Sequence, residues 1–391
     1  MIRRLAGAAL LCAACHDASD VVPPTRIPDA SADVPDGGVL PDGVEGHVAH
    51  EETHARLLVA DADAPTVRIY EVDAPGEPVL LAVPVPVDLV AGSMGRWVYG
   101  LAPDRALLLD SGLVAVNHGE HQHLAIREPR VLDAPPFVLH ASGASFVGTR
   151  FGQSLLFHRG DGAVTRIDEL TLRSASGARI ERHAGEGASD GLALPWRDEL
   201  ALVARGDRVE VRDRSLVAAG ASAACPGADD ALANGVAAVI SCTDGLVLAT
   251  GAPELVHVPG PHVTRLATHP RNAAFFGAAG QALARIDPTA RRVDLLPLGA
   301  GIRAVALRDE ASVVALLDDG ALAIVDAASL APPGRVPAVG TLLAVDGDVA
   351  FVADERGIRR IDLRTGDSVS LPNAGRPGRL VLLRLTVNKG S

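Results

Sequence analysis

A strand–turn–strand unit recurs along the chain about every forty residues, and this restricts the fold more than any other feature. The clearest copies are Ala273-Ala274-Phe275-Phe276-Gly277 leading to Ala282-Leu283-Ala284-Arg285-Ile286-Asp287, then Ser312-Val313-Val314-Ala315-Leu316-Leu317 leading to Ala321-Leu322-Ala323-Ile324-Val325-Asp326, then Val349-Ala350-Phe351-Val352-Ala353 leading to Ile358-Arg359-Arg360-Ile361-Asp362. Their closing aspartates lie 39 and 36 residues apart. Similar pairs start near Leu57, Trp97, Ala144, Glu199 and Val236, which makes eight units. The apolar runs are short, are bounded by Gly, Asp, Pro and Asn, and never settle into a 3.6-residue period, so helices are expected to be nearly absent. Paired short strands at this spacing are the signature of a propeller blade.

The ends of the series fit together. Leu57-Leu58-Val59-Ala60-Asp61 has no strand of its own before it, whereas Leu380-Val381-Leu382-Leu383-Arg384-Leu385 follows the last unit as an orphan. Pairing the two completes one blade and removes exposed sheet edges. The fold class is therefore all-β: a single propeller over residues 57–391, eight-bladed, or seven-bladed if one weak unit is a loop.

The start of the chain is an address. Arg3 and Arg4 precede a short apolar stretch, and Leu11-Cys12-Ala13-Ala14-Cys15 resembles a bacterial lipobox. Residues 1–14 are expected to be cleaved and Cys15 to carry acyl chains that hold the protein to a membrane face; an ordinary secretory signal is the alternative. His16 after Cys15 points to the outer membrane under the enterobacterial sorting rule, giving a periplasm-facing lipoprotein of the cell envelope. Residues 15–56, rich in Pro, Asp, Ala and Gly, read as a disordered tether with a reach on the order of 35 Å. With Cys12 removed and Cys15 lipidated, Cys225 and Cys242 remain as a pair in an oxidising compartment, where a structural disulfide is expected.

Charge and composition narrow the partners. A net charge of −12 and a pI near 5.5 leave no basic stripe, so nucleic acid is not an expected partner. Gly187-Ala188-Ser189-Asp190-Gly191 matches G-x-S-x-G, but a nucleophile elbow needs a helix after it, and strand-like Leu192-Ala193-Leu194 follows. No catalytic residues, and no enzyme activity, are expected.

Histidine is where chemistry concentrates. His118, His121 and His123 fall within one loop that Gly119 lets bend, and His47, His50 and His54 form an arm ahead of the body. Imidazole is the commonest nitrogen donor to zinc. Soft-ligand copper(I) chemistry has little support, because the mature chain keeps one methionine, Met94, and no free thiol outside the expected disulfide.

The body from Leu57 onward resembles the AztD zinc metallochaperones. The residues that carry the resemblance are the loop Asn117 to His123 with Glu128-Pro129-Arg130-Val131-Leu132-Asp133, Phe137-Val138-Leu139-His140, Gly191-Leu192-Ala193-Leu194-Pro195, Cys225-Pro226 and Ser241-Cys242-Thr243-Asp244-Gly245-Leu246. The resemblance implies a periplasmic propeller that takes up zinc and hands it to the solute-binding protein of an ABC importer. It implies a metal site drawn from His118, His121, His123 and His140, with His47, His50 and His54 as a capture arm. Where the family carries His-His-Gly, this chain has Ser189-Asp190-Gly191, and where a histidine follows Cys-Pro, it has Asp229. Asp190 and Asp229 are therefore added as oxygen ligands of a mixed site. The alternative is a lipid-anchored interaction scaffold that has lost metal binding.

Overall fold

The protein is described here by a computed structural model covering residues 50–117, 122–132, 134–140, 143–173, 176–197, 199–251, 254–269, 271–331 and 333–389. Cys15 and His47 lie outside these residues.

Eight antiparallel sheets, laid down in chain order, stand around one axis. Their innermost strands are Pro377–Lys389, Asp88–Ala91, Ala144–Arg150, Gly191–Trp196, Asp230–Ala233, Thr264–Thr268, Ile302–Leu307 and Leu342–Asp346, which we assign to blades one to eight. Four antiparallel strands return the chain to the face it left. All inner strands consequently start on one face of the disc, the entry face, and end on the other, the exit face. Among the described residues the helical structure is one 3-10 turn, Glu169–Thr171.

Apolar runs form the strands because neighbouring blades cover both sides of each sheet. Ala238–Cys242 is buried at every position and Ser312–Leu317 at all but the first, so neither alternates as a half-exposed strand would. Clusters of buried side chains cross the blade boundaries, one running from Phe157 through Leu194 and Ile240 to Phe275. Each such side chain contributes on the order of 1.5–3 kcal/mol by leaving water. Outer strands such as Ala218–Ala224 and Ser368–Ser370 stay largely exposed.

The aspartates that mark the repeat close turns. Asp287 Oδ1 accepts from the backbone N–H of Thr289 and Ala290 (3.0 and 2.8 Å), Asp326 Oδ1 from Ala328 and Ser329 (3.2 and 2.7 Å), and Asp362 Oδ1 from Arg364 and Thr365 (2.8 and 3.1 Å). Each carboxylate thereby satisfies the backbone donors of the turn from third to outer strand.

Ring closure follows the expected pairing but extends further. The strand His50–Asp61 pairs with Pro377–Lys389 from His50↔Lys389 to Asp61↔Pro377, with Leu57 opposite Leu382. The tether expected to run to residue 56 is thus corrected: His50 to Arg56 are strand, held by backbone bonds to the C-terminal strand. The disulfide also forms, Cys225 Sγ to Cys242 Sγ at 2.00 Å with Cα atoms 5.0 Å apart. It fastens the connection between blades four and five on the entry face.

One buried acid links two blades. Glu169 is fully buried and accepts from Ser93 N (3.0 Å), Ser93 Oγ (2.9 Å), Tyr99 Oη (3.1 Å) and Ser154 Oγ, joining blade two to blade three. Burial raises its carboxyl above the ordinary range, opposed by those hydrogen bonds.

Candidate functional site

The strands on either side of the histidine loop form an extra hairpin. Strands Leu113–Asn117 and Gln122–Ile126 pair with each other, His123 opposite Val116, and are inserted between the third strand of blade two, Arg105–Asp110, and its divided outer strand, Arg130–Leu132 with Val138–His140. A third strand ends on the exit face, so the hairpin leaves from there.

The ribbon of His50–Asp61 and Pro377–Lys389 overruns the same face. Its excess length begins where blade one's third strand stops: Arg56 is opposite Glu71, the last residue of Thr66–Glu71, and residues 50–55 continue beyond. Hairpin and ribbon pack together through buried Leu113, Leu385 and Val387, with half-buried Ala115 and Leu124 against them.

Arg56 locks the junction. It is almost fully buried, donates to the carbonyls of Ser111 and Arg127 (3.0 Å for the latter) at the hairpin base, and binds Glu71 through Nε and Nη2 (2.9 and 2.7 Å). Gly112 permits this closeness; a side chain there would run into the Arg127 carbonyl and the Arg56 guanidinium. His54 joins the network with Nε2 2.6 Å from Glu71 Oε2. Burial pushes the Glu71 carboxyl up, but the bonds and charges of Arg56 and His54 outweigh it and leave it below the ordinary range.

His123 of the loop and His50 and His54 of the arm therefore lie on one face. His123 is exposed on the hairpin, His54 is half-buried on the ribbon, and the backbone of His50 pairs with Lys389 at the ribbon's end. His118 and His121 lie outside the described residues.

The other expected ligands are on the opposite face. His140 pairs with Arg105 at the start of the third strand, and Asp190 and Asp229 immediately precede inner strands, so all three are at the entry face. The fold does not bring them to the histidine hairpin, and a single ion shared between the two sets is corrected on that ground. Asp190 Oδ1 is engaged by Arg159 Nε at 2.6 Å and Asp229 Oδ2 by His262 Nε2 at 2.9 Å. His262 reads as isolated in the sequence because its partner Asp229 is far away along the chain. Among the described residues no three His, Cys, Asp or Glu side chains are grouped to hold a metal.

Two histidines outside the clusters, His158 and His257, have structural partners. Fully buried His158 bonds Thr165 Oγ1 at 2.7 Å, and burial, then the charge of Arg182, holds its imidazole down to about 4. His257 pairs with Asp244 at 3.1 Å. Ser189 is followed by the strand Gly191–Trp196, not by the helix a nucleophile elbow requires.

No family model matches the sequence, and no curated protein does. Among solved structures the chain is similar to AztD from Citrobacter koseri, with a TM-score of 0.76 at 20% identity over 85% of this chain and 98% of that one. The apo form of AztD from the same organism gives 0.76 at 19% identity, over 87% and 100% of the two chains. The dihydro-heme d1 dehydrogenase NirN in complex with DHE gives 0.56 at 13% identity, over 86% and 74%. At these identities the likeness is one of fold.

Proposed function

We propose that this chain is an envelope zinc-binding protein that carries the metal as cargo and passes it to the solute-binding protein of an ABC importer. The observation that supports the reading is that His123 on the hairpin and His50 and His54 on the ribbon lie on the same exit face, hairpin beside ribbon. Imidazoles of the hairpin and the arm supply borderline nitrogen donors suited to zinc, and they compete with protons, so affinity falls below roughly pH 6.5. His140, Asp190 and Asp229 are left out of that donor set by their position.

Calorimetric zinc titration of the mature chain tests it. Micromolar or tighter uptake is expected, reduced at least about tenfold by replacing His118, His121 and His123 together with alanine, and reduced less by replacing His47, His50 and His54. Absence of zinc binding at micromolar concentration would favour the scaffold reading instead, for which the ion-paired Asp190 and Asp229 at two family histidine positions are the supporting observation.

A further inference from the structure

The entry face carries a second, differently charged feature. Besides Ala144–Arg150 of blade three, which breaks register between Ala144 and Phe146, three inner strands break register near their starts: between Thr264 and Ala267 in blade six, between Ile302 and Ala304 in blade seven, and between Ala60 and Asp61 opposite Arg379 and Pro377 in blade one. Bulges re-aim side chains. Each of these lies at or beside an arginine, namely Arg265, Arg303 and Arg379.

The conformation at Arg265 is held in place. Its φ of 57° is in the left-handed region, which a long side chain seldom occupies without an external constraint. The constraint is Asp230 of blade five, fully buried, whose Oδ2 accepts from Leu266 N at 2.8 Å. Asp230 Oδ1 has no hydrogen-bond partner.

The arginines are close enough to feel one another. Burial lowers the Arg265 guanidinium from its ordinary range, Asp230 opposes this, and the like charges of Arg303 and Arg379 lower it further. Arg379 is buried and tied to Asp88 (Nε to Oδ1 3.3 Å) and the Leu89 carbonyl (3.2 Å). Neither Arg265 nor Arg303 forms a side-chain hydrogen bond or ion pair with a described residue. Cations at the entry-face starts of three inner strands, two of them with donor forks that no described residue takes up, complement an oxyanion.

We propose that the entry-face starts of the inner strands of blades one, six and seven form an oxyanion site, in which Arg265 and Arg303, backed by Arg379, take a small molecule bearing carboxylate or phosphate. This site is separate from the histidine face and does not rest on the zinc reading.

Calorimetry of the mature chain with inorganic phosphate and, separately, with citrate, each against sodium chloride of equal ionic strength, tests it. Saturable binding of one or both is expected; phosphate alone assigns the phosphate class and citrate alone the carboxylate class. Arg303→Ala is expected to weaken binding at least about tenfold, as is Arg265→Gly, which removes the guanidinium while accepting the positive φ. Arg335→Ala, on an outer strand, serves as control. No saturable binding of either anion, or binding unchanged in Arg303→Ala, would overturn the proposal. Should Arg265→Gly fail to fold, Arg303→Ala decides, since that side chain holds no described partner.

Discussion

Replacing Arg56 with methionine isolates what holds the histidine hairpin to the ring. Methionine keeps most of the apolar stem and removes the donors. The carbonyls of Ser111 and Arg127 each lose a charged donor at a buried junction. An acceptor stranded in this way costs about 1–2 kcal/mol, so the docked hairpin should lose about 2–4 kcal/mol. The lost ion pair with Glu71 adds little, because that carboxylate is over a third exposed. Amide exchange followed by mass spectrometry should then show the hairpin backbone from Leu113 to Arg127 exchanging roughly thirty to several hundred times faster, a tenfold change being about 1.4 kcal/mol. Strands in blades four to seven should be unaffected, and zinc affinity should fall if hairpin and ribbon act together. Unchanged hairpin protection in a folded variant would refute the claim that Arg56 fastens it.

Three further outcomes follow from the fold. Cys225→Ser with Cys242→Ser should cost about 3 kcal/mol in urea unfolding, by the chain-entropy estimate for a crosslink spanning 17 residues. Phe276→Ala, at a fully buried site between blades six and seven, should cost about 3–5 kcal/mol, and a loss under 1 kcal/mol would contradict the packing described. The third concerns pH. Burial raises Asp230 to about 7, so the native state holds its proton more tightly than the unfolded chain does, and stability from this group is lost as pH climbs from about 4 to 7. His158, depressed to about 4, acts oppositely and costs stability as pH falls from about 6.5 to 4. The two slopes offset each other in the native protein. Asp230→Asn should expose the acid-side loss, measured as unfolding midpoints across pH 4–7, and a profile parallel to wild type would contradict the assignment.

The ring was legible because its signal is local and repeated. Strand, turn and strand sit within twenty residues of one another, and aspartates such as Asp326 mark each turn in the sequence itself. The orphan strand Leu380 to Leu385 betrayed closure for the same reason: an apolar run without a neighbour needs one. The site was less legible because the face on which a loop emerges depends on which connection it interrupts. His118 to His123 could be recognised as a ligand cluster, but not as an exit-face hairpin, without knowing that Arg105–Asp110 is a third strand. His50-Glu51-Glu52-Thr53-His54 looked like tether because a ribbon projecting beyond the disc has a polar sequence. Glu169 and Arg265 were opaque because the groups that explain them, Ser93 and Asp230, belong to other blades.

The pairing of His50–Asp61 with Pro377–Lys389 sets the timetable of assembly. His50–Asp61 must wait for Pro377–Lys389, more than 300 residues later, so the ring stays unlatched until that strand has been made. Losing Pro377–Lys389 would leave blade one without its inner wall, so damage to this strand should be as severe as damage to the middle of the ring.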